Sequence, residues 1–140
     1  MSNRHGVTGI VGRGLVGVAL ALTATAALAH HSFAVFFDHE KSVSIHGTVT
    51  GFMFRNPHGV VVVEVPKPDG TKDVWKAETN SPSMMLRRGW TKDSIHVGDV
   101  VTVEGWPARD GALYMRIREL KGPDGKPIGK PADVATEMGQ

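Results

Sequence analysis

Ser42–Val65, SVSIHGTVTGFMFRNPHGVVVVEV, is the stretch from which the fold can be read. Val43, Ile45 and Val49 alternate with Ser44, His46, Thr48 and Thr50, the period of two that marks a strand with one wet face. Gly47 falls on the apolar side and Gly51 interrupts the run. Glycines so placed predict a bulge or sharp coil where a strand turns a barrel corner. Phe52 and Phe54 carry the strand past that bend. Asn56-Pro57-His58-Gly59 is then a turn, since Asn bonds its own backbone, Pro presets φ and Gly tolerates positive φ. Val60–Val65 is apolar except at Glu64, so both faces of this second strand are expected to be partly covered.

Downstream, Pro66–Gly70 is a second turn, and Asp73–Thr79 is a third strand with Trp75 and Ala77 opposed to Val74, Lys76 and Glu78. A short helix follows. Ser81 is its expected N-cap and Pro82 its first residue; Met85, Leu86 and Trp90 form an apolar cluster, and Gly89 is the stop. The Thr91–Val97 connector has room for one more helical turn. Gly98-Asp99 opens a fourth strand with Val101 and Val103 inward, and Gly105 is read as its end. After a loop at Pro107–Gly111, a fifth strand sets Leu113, Met115 and Ile117 against Tyr114, Arg116 and Arg118. Trp90 and Trp106 are expected to close the core. Strand, strand, strand, helix, strand, strand predicts a mainly β, five-stranded OB-like barrel over residues 42–121. A sandwich or open meander is the other arrangement these elements allow.

Two flanks complete the chain. Residues 1–29 read as a signal peptide: Arg4 and Arg13 precede an apolar run, Leu15–Ala29, that ends in Ala27-Leu28-Ala29. That run is shorter than the ~20 residues of a bilayer span. Cleavage after Ala29 would place the domain in the periplasm or outside the cell, without stable membrane insertion. Residues 30–41, HHSFAVFFDHEK, form an aromatic arm expected to lie across the barrel with Phe33, Phe36 and Phe37 covering an edge or end. Residues 122–140, rich in Gly, Pro and charge, read as a flexible tail with room for a short Pro-Asp-Gly hairpin, its last ten residues or so expected to fray.

Charge and cysteine usage narrow the function. Of 16 Lys and Arg, Arg4 and Arg13 leave with the leader, so the remaining bases match the 14 acids and that part is formally neutral. A nucleic-acid partner, which calls for a basic groove with stacking aromatics, is not expected, although Trp75, Tyr114, Arg116 and Arg118 could in principle supply both. The more ordinary place for Arg116 and Arg118 is a solvated strand face, paired with Glu64, Glu78 or Glu104. The absence of cysteine excludes disulfides, thiolate metal sites and a cysteine nucleophile. No Gly-x-Ser-x-Gly, phosphate loop or His-Glu-x-x-His motif is present, so no enzyme activity is expected. Ser81 and Ser83 suit helix capping.

Several of these segments carry a resemblance. HHSF at the expected mature start, GTVTGF, NPH, ETNSPSMMLRRGW and VGDVVTVEGWPARDG are similar to a family of small exported bacterial proteins, domain of unknown function 6152. The likeness covers nearly all of residues 30–140 and implies an exported OB-like domain. It implies no activity or catalytic residues. Phe54-Arg55 stands where the family pattern has a Trp before Asn-Pro-His, which puts an aromatic stack at that turn in question.

The histidines supply the one chemical expectation. Cleavage would make His30 the N-terminal residue, whose amine and ring can chelate one metal ion. His31 is adjacent, and His58, on its turn, is the best distant ligand for a nitrogen-rich copper site, with zinc a weaker fit. His46 lies on the wet face of the first strand, and His39 beside Asp38 and Glu40 is a further possible cluster. Three functions follow: a non-enzymatic binding module for a small molecule, metal or protein surface; a copper-binding protein using His30, His31 and His58; or an envelope protein-interaction domain acting through the Phe-rich arm.

Overall fold

The computed structural model describes residues 32–139, so the expected leader, His30 and His31 lie outside the described residues. Five strands are present: β1 (Val43–Met53), β2 (Val60–Pro66), β3 (Lys72–Glu78), β4 (Val100–Pro107) and β5 (Tyr114–Lys121). Among the described residues three short helices accompany them: α1 (Ser32–Phe36), α2 (Pro82–Arg87) and α3 (Val134–Met138).

The strands close a barrel in the order β1-β2-β3-β5-β4. Closure depends on β1 serving two neighbours. Its first half, Val43 to Thr48, pairs antiparallel with β4, and from Thr48 to Met53 it pairs with β2. The register shifts between Val49 and Gly51, where two steps along β1 match one along β2, so Thr50 is the extra, bulged residue. The bend is thus where Gly51 marks it. β3 and β5 meet in parallel through Lys76–Glu78 and Tyr114–Arg116, the contact that seals the barrel.

Inward-facing Ile45, Val49, Val61, Val63, Ala77, Val101, Val103, Met115, Ile117 and Leu120 fill the interior, with Met85 from α2, Trp90 and Ile95 plugging one end. Burial of each such Val, Leu or Ile side chain is worth roughly 1.5–3 kcal/mol. Two glycines let the backbones cross. A Cβ on Gly47 would lie 2.2 Å from the Glu64 carbonyl oxygen, and one on Gly105 2.1 Å from that of Arg116. Gly51 has no such crowding; its nearest neighbour would be Val62 Cγ2 at 3.6 Å.

Several expectations are corrected. Gly105 does not end β4, which runs on to Pro107 through a register shift that leaves Arg118 as the extra residue on β5. Ser81 occupies the N-cap position of α2, but its side chain makes no capping bond and meets Ser83 Oγ at 3.1 Å. Leu86 and Leu113 point to solvent, as does Phe36. The connector at Thr91–Val97 contains turns and no further helix.

Trp106 is the most informative correction. It lies outside the barrel, in a second apolar cluster with Phe33, Phe37 and Ala132, flanked by Tyr114 and Val134. The outer face of β4 and β5 is covered there from both ends of the described chain. The arm bridges to the β4–β5 loop through Phe37 and Ala108, with Arg109 Nε donating to the Ala34 carbonyl at 2.8 Å. The tail forms the short Pro-Asp-Gly hairpin, pairing Lys121 with Pro127, and its last residues, expected to fray, are instead held, Ala132 N donating to the Arg118 carbonyl at 2.7 Å. It ends in α3, whose N-cap Asp133 accepts from Thr136 N. Composition pointed to disorder because few tail residues are apolar; those few meet an apolar patch already built by the arm and Trp106.

Candidate functional site

The same covered face holds a chain of polar side chains that begins at the surface and ends buried. Glu78, the last residue of β3, is its hub. Its carboxylate is met by His58 Nδ1 at 2.8 Å, by Arg116 Nη1 at 2.6 Å and by the Tyr114 hydroxyl. Arg116 points outward from the barrel but is only 4% exposed, so the solvated face expected for it is not there. It also donates from Nη1 to the Thr79 carbonyl at 2.8 Å, and from Nε and Nη2 to Glu137 Oε2 at 2.8 and 2.7 Å.

Glu137, on α3, receives further bonds from Asn80 Nδ2 at 3.1 and 3.3 Å, and Arg88 Nη1 lies 3.5 Å away. Arg88 also donates to Asn80 Oδ1 at 2.8 Å. One buried carboxylate, Glu137, and one partly buried one, Glu78, thus face the buried Arg116 and the partly buried Arg88 through multiple hydrogen bonds, the condition under which buried charge is tolerated. Burial first, and then the hydrogen bond to Glu78, raises the Tyr114 phenol well above its ordinary range. Arg118, by contrast, pairs with Glu104 at the partly exposed rim, where its hydrogen bond holds the Glu104 carboxyl below the usual range.

His58 is the group this network presents to solvent. Its side chain is 43% exposed on the β1–β2 loop, and among the described residues no partner is found for Nε2. The contact places Nδ1 against Glu78 and leaves Nε2 as the ring nitrogen facing solvent, the orientation of a carboxylate-backed metal ligand. Phe54 packs edge-to-face with Phe52 at 5.9 Å, and Phe52 lies tilted against Trp90 at 6.4 Å, so the aromatic rings beside the turn are in contact without being stacked.

The other histidines are dispersed. His46 Nδ1 meets Thr102 Oγ1 at 3.0 Å on the wet face. Asp38 pairs with Lys41 and Arg109 and leaves His39 aside, its ring 6.5 Å from that of Phe33 and its Nδ1 buried without a partner among the described residues. No group of three or more His, Asp or Glu is gathered for a metal ion among the described residues, and His58 stands there with Glu78 alone. Glu137 and Asn80 were not singled out from the sequence, and Arg88 was read only as a basic residue suited to the end of α2. The one available signal was Asp133-x-x-Thr136 before a lone Glu in the tail, a weak helix-start pattern.

Strand order, the parallel β3–β5 seal and the helix between β3 and β4 define an OB-type barrel. The chain belongs to DUF6152, a family of unknown function, whose model matches residues 18–115. No match is found among curated protein sequences. Among solved structures, the mitochondrial single-stranded DNA binding protein Rim1 of S. cerevisiae is similar at 17% identity and a TM-score of 0.43, over 59% of this chain and 93% of that one. The N-terminal domain of PriB from Thermoanaerobacter tencongensis is similar at 22% identity and a TM-score of 0.44, over 59% and 96%. No helix among the described residues is long and apolar enough to cross a membrane.

Proposed function

We propose that the chain is an exported, non-enzymatic binding module, released by cleavage after Ala29, whose ligand engages the barrel at the β1–β2 loop around His58. The observation that carries this reading is the His58–Glu78 contact of 2.8 Å. It orients an imidazole on a loop that OB barrels use to hold ligands, and Arg116 and Tyr114 lock the carboxylate behind it. A hydrolytic role has less support, because no hydroxyl nucleophile is hydrogen-bonded to that imidazole among the described residues. Single-stranded nucleic acid has less support too: Trp75 packs on the barrel core, Tyr114 is tied to Glu78, and Arg116 is buried.

The alternative within this reading is a copper-binding protein, with His58 Nε2 joined by His30 and His31 of the mature N-terminus. The ring orientation fixed by the Glu78 contact, with Nε2 turned to solvent, supports it. Titration of Cu(II) into protein beginning at His30, followed by EPR, tests both levels. Binding tighter than micromolar, with nitrogen hyperfine structure lost in both His30→Ala and His58→Ala, is expected. Weak binding indifferent to His30→Ala removes copper. Absence of any chemical-shift change at residues 54–59 with metal ions and small-molecule mixtures removes the binding site itself. An envelope-interaction role rests on Val35 and Phe36, which are 61% and 64% exposed on the arm.

A further inference from the structure

The geometry points to a second binding site: Arg116, Arg88 and Asn80 form a carboxylate pocket that the chain fills with its own Glu137, and the tail is a latch that an acidic peptide can displace. This inference stands apart from the ligand of His58.

Glu137 behaves as a bound ligand. Its side chain is 1% exposed, and its contacts with Arg116, Asn80 and Arg88 all come from outside the tail. The pocket is organised without it. Arg116 is fixed by Glu78 and the Thr79 carbonyl, and Arg88 by Asn80 Oδ1, so both guanidiniums keep their places when the carboxylate leaves. Preorganised donors of this kind, a guanidinium above all, recognise carboxylates tightly when water is excluded.

The latch is light by comparison. α3 has five residues, too few for a helix to hold itself in water. It is seated by Glu137, by Ala132 and Val134 on the Phe33–Phe37–Trp106 cluster, and by a few backbone bonds. Between it and β5 the chain turns at Gly122–Gly125, exposed from Pro123 on, and is tied to the barrel at Ile128, so the latch is confined to the residues beyond that point. Segments of such low contact density open at a free energy well below that of global unfolding. Val134 and Glu137, three apart, lie on one helical face and reach the apolar cluster and the guanidiniums together. The competing ligand is therefore a peptide with an apolar residue three positions before a Glu.

The test uses the protein from His30 to Gln140 with Glu137→Gln, an isosteric change that keeps the tail packed, and with Glu137→Ala. Probes are a synthetic peptide of residues 131–140, the same peptide carrying Glu137→Gln, and propionate. The Arg116 Nε–H resonance and thermal stability are followed. The Glu peptide is expected to bind both variants saturably, raise their melting temperatures and bind at least ten-fold more tightly than the Gln peptide. Equal affinity of the two peptides, or no saturable binding to folded Glu137→Gln protein, overturns the pocket. Propionate that matches the Glu peptide overturns the peptide as its ligand. In the wild-type protein, excess Glu peptide is expected to speed amide exchange across residues 133–139; unchanged exchange at saturating peptide overturns the latch.

Discussion

Arg116 holds Glu137 through two nitrogens on a single carboxylate oxygen, Nε at 2.8 Å and Nη2 at 2.7 Å, where neither side chain is more than 5% exposed. A strand residue that alternation assigns to solvent is thereby the anchor of the chain's last helix. Removing it strands two carboxylates, Glu137 and Glu78, without their main partner. Arg116→Met is expected to cost about 3–5 kcal/mol in urea unfolding, the range for breaking a buried pair from one side. Arg118→Ala breaks only the rim pair with Glu104 and is expected to cost about 0–1 kcal/mol. Equal losses in the two variants would contradict the assignment of Arg116 as anchor.

Glycine substitutions separate bend from crossing. Gly47→Ala and Gly105→Ala each drive a methyl into a backbone carbonyl, at 2.2 and 2.1 Å, and should lower stability by about 1–3 kcal/mol or more. Gly51→Ala meets only ordinary contact with Val62 and should fall within about 1 kcal/mol of wild type. Thermal melts of the three variants settle the order.

Tyr114 is the chain's one tyrosine, so absorbance near 295 nm reports it without ambiguity. Burial and the bond to Glu78 raise its phenol in the folded state. The folded protein then holds that proton more tightly than the unfolded chain, so Tyr114 contributes stability below the ordinary phenol range and the contribution falls as pH rises above it. Phenolate should appear only together with alkaline unfolding. A reversible titration near pH 10 with tertiary structure intact would show that the Glu78 contact does not protect the hydroxyl.

At the acid end, Asp133 is held below the usual carboxylate range by the backbone N–H of Thr136 and then by its hydroxyl. A lowered folded value means that stability is present above the ordinary carboxylate value and lost as pH falls through the lowered one. Amide exchange in α3 should therefore accelerate in acid before the barrel strands respond. Asp133→Asn, which keeps a capping oxygen, should remove this pH dependence and retain much of the helix.

The barrel was legible because its signals are local. Val43, Ile45 and Val49 against Ser44, His46 and Thr48 state which face is dry, and Gly51 states where the strand bends. Pro82 and Gly89 bracket α2. The site was legible only in part. His58 stood out by its turn, whereas its partner Glu78 was one of several acids on alternating strands. Trp106 and Arg116 were misplaced for a shared reason: alternation says that a residue leaves the barrel, but not whether something waits outside.

What the sequence by itself determined is the succession of strands, turns and helix, and with it an OB-type barrel, because periodicity and turn chemistry act over a few residues. What only the tertiary structure decided is the second layer on β4 and β5. Phe33 and Phe37 come from one flank, Ala132, Val134 and Glu137 from the other, and Trp106, Tyr114 and Arg116 from the strands between. Each flank is too short to bury a core of its own. They are ordered because burial of the aromatic cluster and the pairing of Arg116 with Glu137 become available only once the closed barrel has brought the strands that hold those partners together.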